Sequence, residues 1–288
     1  MAPIGAGLPV PEDSRRVAGR LLTHNGCMAL PTEQTRPSKV VDLRIPRDSL
    51  LKLFVGQERF FRDLLAAYYP DIMEAIDIRA LRSEPSSLVG LDVEKSEADA
   101  VWEIETECGH LFYMLVMCRS EDSEFVNPWE LVCAVASLMV QLSEHPPTDW
   151  GYEPDRIPLV MGMFVYDGEQ EWDIPLCTLD MFQETIPSLA KYLPEFRYRV
   201  ADLRNGKVPE LEGNLAALLH RLHVCGSPAE LHGAARPLRD LLDPDRDNLL
   251  WRAFAACIAQ SLAPAMGIKD TSASDSLEGA LDRLERGA

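Results

Sequence analysis

The sequence has no run of apolar residues long enough to span a bilayer, so a membrane-spanning chain is not expected. It also has no C-x-x-C pair. Seven cysteines are scattered irregularly along 288 residues, and their number is odd. This argues against a structural zinc site or a disulfide framework, and for reduced thiols in a cytoplasmic protein. The opening residues MAPIGAGLPVPEDSRR lack the basic start and apolar block of a secretory signal. No internal repeat or low-complexity block is present. Positive charge is scarce: 28 Lys and Arg stand against 46 Asp and Glu, for a formal net charge of −18. Such a surface repels phosphates at long range. It counts against a tight, nonspecific nucleic-acid binder without excluding a local basic groove. Acidic metal sites also contribute negative charge before the ion binds. The same excess is compatible with an acidic protein that binds another protein, as an inhibitor or nucleic-acid mimic.

What is present suits a globular chain. Hydrophobic residues make up 47% and charged residues 26%, and the length is ample for a real core. Residues 1–45 are rich in Pro, Gly, Thr and Arg without a sustained period, which predicts a flexible or loosely docked extension. Asp48 is placed to cap a short helix, and a second helix is expected from Gln57 to Tyr69, ended by Pro70. A short strand is expected near 80–88, followed by a charged loop at 92–97. Val101–Glu105 and Leu111–Cys118 read as strands, with Glu107-Cys108-Gly109-His110 as the turn between them. Asn127-Pro128-Trp129-Glu130 signals a helix start with Asn127 as cap. Pro158–Tyr166 reads as a strand buried on both faces. Helices follow over 211–224, 228–242 and 247–262, with a last one at 277–286. The expected organisation is an extension at 1–45, an α/β core at 46–200, an α-helical region at 201–268 and a tail at 269–288.

The segments Asp48–Phe54, Asp63–Pro70, Ile76-Asp77, Leu81–Leu91, Asp99–Trp102, Ile157–Val160, Val165–Gly168 with Trp172, and Gly213–Ala216 together resemble one family, in their order and spacing. That family is the Rpn recombination-promoting nucleases, also labelled putative transposases or YhgA-like proteins, in the PD-(D/E)XK nuclease superfamily. The resemblance spans roughly 48–262. It implies a central mixed sheet flanked by helices with a C-terminal α-helical extension, an Mg²⁺- or Mn²⁺-dependent DNA endonuclease activity, and DNA as partner. It identifies Asp99 with the family's first catalytic aspartate. At the end of the second strand the family pattern is Glu-x-Gln, and many superfamily relatives have Glu-x-Lys. This chain has Met117-x-Arg119. The family's His-Asp pair near the first helix is here Arg47-Asp48.

Phosphodiester hydrolysis needs an activated water and stabilised charge on the phosphate, which a hard divalent ion held by carboxylates supplies. Alternation places Asp99, Val101, Glu103 and Glu105 on one face of the first strand, and Tyr113, Leu115, Met117 and Arg119 on one face of the second. A cleft at Asp99 then presents Asp99, Met117 and Arg119. Met117 is a soft thioether and a poor ligand for Mg²⁺. Arg119 can clamp phosphate but stays protonated. Glu103 is the first candidate for a substitute metal ligand, with Asp92, Glu94 and Glu121 behind it. The bland alternative makes Asp99, Glu103 and Glu105 a solvated strand face and Met117 core filling. The leading expectation is therefore a nuclease fold with a degenerate site, keeping a structural or binding role through a protein partner or self-association. An active endonuclease is the alternative. Weaker candidates are His220 with His223 as a metal pair, Cys118 as a reactive thiol, and Ser120. Trp129 and Trp172 are weak candidates as base-stacking platforms, and Arg15, Arg16, Arg20 and Arg36 as DNA contacts.

Overall fold

The computed structural model describes residues 47–75, 78–84, 98–121, 124, 126–146, 156–183, 187–268 and 277–287. The expected extension at 1–45, with its four arginines, and the charged loop carrying Asp92 and Glu94 lie outside these residues.

The alternating apolar residues after Asp99 form a hairpin. Strands β2 (Ala100–Thr106) and β3 (Leu111–Arg119) pair antiparallel, with Trp102 opposite Met114. Gly109 takes φ +80° in the turn, a conformation glycine reaches without a Cβ penalty. Strand β1 (Ile78–Glu84) pairs antiparallel with the outer side of β2. It starts two residues before its expected position. The apolar run becomes β4 (Leu159–Tyr166), parallel to β3. Strand β5 (Arg199–Asp202), unexpected from the sequence, adds parallel to β4. The sheet order is β1-β2-β3-β4-β5, a mixed α/β arrangement as expected.

Among the described residues three helices precede β1: α1 (Arg47–Val55), α2 (Glu58–Tyr68) and α3 (Pro70–Ala75). Helix α2 buries Phe60, Phe61, Leu64 and Leu65, a spacing that puts all four on one stripe. Pro70 ends α2 and opens α3, where its missing N–H costs nothing. Helix α4 (Asn127–Glu144) connects β3 to β4. Asn127 is not its cap: Val126 holds that position and makes no side-chain bond, while Pro128 keeps its place in the first turn. A single turn, α5 (Pro187–Ala190), precedes β5.

Beyond β5 come α6 (Leu215–His223), α7 (Pro228–Ala235), α8 (Leu238–Leu241), α9 (Asn248–Ala256), α10 (Ala263–Ala265) and α11 (Leu277–Gly287). The helix expected over 228–242 is split at Arg236-Pro237, where proline cannot continue an interior helix. After α9 the chain widens into a π-helical turn, Cys257–Leu262.

Alternation along the strands sorts side chains into two cores. One face of the sheet, with Trp102, Ile104, Met114, Val116 and Cys118, packs with residues of α1, α2, α6 and α9. Trp102 stacks on Phe61 with centroids 4.9 Å apart and donates its Nε1–H to Val55 O at 3.0 Å. The opposite face, with Val101, Tyr113, Leu115, Met117 and Phe164, packs with Leu131, Ala134 and Leu138 of α4. Gly162 makes this approach possible, because a Cβ there would stand 2.9 Å from the Leu131 side chain. Helix α6 is fastened to α2 by polar contacts. Asp63 accepts the Leu215 N–H at 2.7 Å, Asn214 donates to Asp63 O at 2.8 Å, and Asn214 Oδ1 caps Ala217 N–H at 2.8 Å. Burial pushes the Asp63 carboxyl above its ordinary range, against the opposing pull of the Leu215 N–H.

Candidate functional site

Asp99 lies immediately before β2, at the end of the sheet where β3, β4 and β5 finish. In open α/β sheets that end is where ligands bind. Its N–H donates to Val116 O at 2.9 Å, and its Oδ2 accepts the Cys118 N–H at 2.6 Å. Its Oδ1 is 2.8 Å from Lys52 Nζ, in the last turn of α1. The carboxylate thus ties α1 to the margin of two strands.

Since Ala100 pairs with Val116, the antiparallel register sets Asp99 against Met117. Met117 is 1% exposed and belongs to the core under α4. Arg119, the last residue of β3, is 4.0 Å from Asp99 Oδ2 through Nη1. Its Nη1 also donates to Cys118 O at 2.8 Å, and its Nη2 donates to Glu130 Oε2 at 2.8 Å and approaches Met117 Sδ at 3.8 Å. The guanidinium sits 5.8 Å from the Phe164 ring centroid, within cation–π range. The structure therefore brings Asp99, Met117 and Arg119 together and adds Lys52 and Glu130. Sequence reasoning missed these two. Glu130 reads from the sequence only as a helix-start residue, and the signal for Lys52 is its place as the lone polar residue in Leu50-Leu51-Lys52-Leu53-Phe54.

Glu103 is placed elsewhere. It lies four residues along the strand from Asp99, roughly 13 Å at the usual rise. Its Oε2 accepts the Tyr113 Oη–H at 2.7 Å and its Oε1 is 3.6 Å from Arg82 Nη1. Glu105 pairs with Arg79 at 3.0 Å. Burial, then the Glu103 carboxylate, pushes the Tyr113 hydroxyl far above its ordinary range. The face holding Glu103 and Glu105 is not solvated, contrary to the bland expectation: both are buried. Cross-strand partners in register, Arg82 and Tyr113 on either side of Glu103, make that burial tolerable.

The weaker candidates are dispersed. His220 Nδ1 is 2.7 Å from Tyr68 Oη, while His223 Nε2 is 3.9 Å from Asp167 Oδ2. The two histidines face different partners. Burial lowers the His220 pKa, against the opposing pull of Asp202. Cys118 is buried on the helix-covered face opposite Met117, as alternation requires. Ser120 Oγ is buried without a hydrogen-bond partner. Trp172 packs on Phe164, Tyr166 and Tyr198 and donates to Ile174 O at 3.1 Å. Trp129 meets Phe182 edge-on at 5.8 Å.

A hard dication asks for several oxygen donors around one point. Here the groups beside Asp99 are a thioether and two cations without a lone pair to offer, a guanidinium and an ammonium, and Glu130 is turned to Arg119. Among the described residues no group of three or more His, Cys, Asp or Glu is arranged to hold a metal. The residues present do not fit Mg²⁺ or Mn²⁺. Among the described residues, no helix is long and apolar enough to cross a membrane.

Residues 45–244 match the model of a family described as "Putative transposase, YhgA-like". Recombination-promoting nuclease RpnA of Escherichia coli (strain K12) is 30% identical over 161 residues, 55% of this chain and 52% of RpnA. Inactive recombination-promoting nuclease-like protein RpnE of the same organism is 27% identical over 160 residues, 55% of this chain and 50% of RpnE. The chain spans about half the length of the curated relatives it matches. No solved structure matches it. The matched span includes all five strands and Lys52, Asp99, Met117, Arg119 and Glu130. The chain belongs to the YhgA-like transposase family, and its mixed sheet flanked by helices is consistent with the PD-(D/E)XK nuclease-like core of that family.

Proposed function

We propose that this protein has a nuclease-like core whose metal site is degenerate, and that it keeps a binding or interaction role in the cytoplasm. The core spans 46–200 and carries a helical region at 201–268. The observation that carries the proposal is Met117, a buried thioether standing opposite Asp99. At that position the family resemblance calls for a carboxylate. A thioether does not hold a hard ion, and a neighbouring guanidinium repels one. A guanidinium is a planar hydrogen-bond donor and a poor base, so Arg119 serves as a phosphate or carboxylate clamp. The two relatives support the reading from both sides, since one is named a nuclease and the other an inactive nuclease-like protein. The net charge of −18 favours a protein partner or a second copy over extended DNA as the occupant of this surface.

A second reading is an active DNA endonuclease in which another acid replaces the missing one. One contact favours it: Glu130 sits on the same guanidinium that approaches Asp99. Incubation with plasmid DNA and Mg²⁺ or Mn²⁺, beside an Asp99→Asn control, separates the readings. The degenerate site leaves the plasmid intact in both. Cutting by the wild type that disappears in the control establishes the second reading instead.

A further inference from the structure

We propose that Lys52 is a built-in cation that takes the place of a divalent ion on Asp99 and closes the site to metal. This rests on the degenerate-site reading and adds the residue that enforces it. Lys52 Nζ lies 2.8 Å from Asp99 Oδ1. A small hard dication binds a carboxylate oxygen at about 2.0–2.1 Å, along lone pairs the ammonium already occupies. The other Asp99 oxygen receives the Cys118 N–H at 2.6 Å. Arg119 approaches the same oxygen and holds Glu130 at 2.8 Å. Asp99 thus carries an ammonium on one oxygen and has a guanidinium beside the other. An arriving dication is repelled by both cations and must displace the ammonium first. The Lys52 side chain is 45% exposed against 9% for Asp99. With the lysine itself this exposed, closure is set by its charge and not by burial of its side chain.

The test uses the full chain as wild type, Lys52→Gln and Lys52→Arg. Gln keeps most of the stem and removes the charge, while Arg keeps the charge. Mn²⁺ affinity is measured by calorimetry, and the melting temperature with and without Mn²⁺. The expected result is Mn²⁺ binding to Lys52→Gln about tenfold or more tighter than to wild type, with a matching rise in melting temperature. Lys52→Arg behaves as wild type, and adding Asp99→Asn to Lys52→Gln removes the gain. Equal Mn²⁺ responses in wild type and Lys52→Gln overturn the role of Lys52. If Lys52→Gln does not fold, Lys52→Met, which retains an apolar stem, makes the same comparison. Failure of the underlying reading is distinguishable. A wild type that cuts DNA in an Asp99-dependent way binds metal with Lys52 in place, and this overturns both. Equal responses without cutting overturn Lys52 alone.

Discussion

Asp99 and Glu103 are two acids on one stretch of chain, similarly removed from water, with different partners. Glu103 is engaged by the neighbouring strands: Arg82 on β1 and Tyr113 on β3 stand beside it in register. The row braces the middle of the sheet. Asp99 sits at the end of the sheet and is engaged by a helix on one side and the end of β3 on the other. Beside it, Arg119 draws in Glu130 from α4. Side-chain burial is nearly the same for both acids, so burial does not separate a structural carboxylate from a candidate site carboxylate. The identity and origin of the partners does. Partners from adjacent strands fix a sheet, whereas partners from both covering layers converge only where the layers meet.

Substitutions can break this contrast, beginning with the largest effect. Asp99→Ala strips the Cys118 N–H of its acceptor and the lysine of its partner, and should cost about 3 kcal/mol of unfolding free energy in denaturant melts. Tyr113→Phe leaves Glu103 buried with one donor fewer, and should cost about 1–2 kcal/mol while leaving Mn²⁺ binding by Lys52→Gln untouched. An effect of Tyr113→Phe on that binding would erase the division between the two acids. A third prediction concerns His220, whose folded pKa is lowered by burial. Between the folded pKa and the ordinary value near 6.5, the unfolded chain binds more protons, so stability falls as pH drops below about 6.5 and levels off above it. His220→Gln should flatten that part of the melting-temperature profile without altering any metal response. Glu130→Gln breaks a half-exposed pair and should cost less than about 1 kcal/mol, visible as a small shift in denaturant midpoint.

Much of the fold was legible because local chemistry specified it. The hairpin was readable from its apolar strands and Gly109, α2 from its apolar spacing, and β4 from its unbroken apolar run. Strand β5 was not readable: Arg199-Val200-Ala201-Asp202 is too short and too polar to carry a period, and it becomes a strand only against β4. The cap falls one position before Asn127, on Val126, and Pro128 stays within the first turn. At the site, the cross-strand pair of Asp99 and Met117 was legible, because strand alternation and a tight turn fix register. Lys52 and Glu130 were not. They arrive on helices far away in sequence, and spacing along the chain carries no information about which helix end meets which strand end.

The central claim is that Met117 occupies the place of a metal-binding acid opposite Asp99. Its most direct test is Mn²⁺ binding by Met117→Glu against unchanged Met117, both carrying Lys52→Gln so that the ammonium is off Asp99, with the fold verified by circular dichroism. Tighter binding in the double variant than in Lys52→Gln alone, lost again when Asp99→Asn is added, is the predicted result. A folded Met117→Glu, Lys52→Gln protein with the same Mn²⁺ affinity as Lys52→Gln alone would contradict the register and, with it, the place given to Met117.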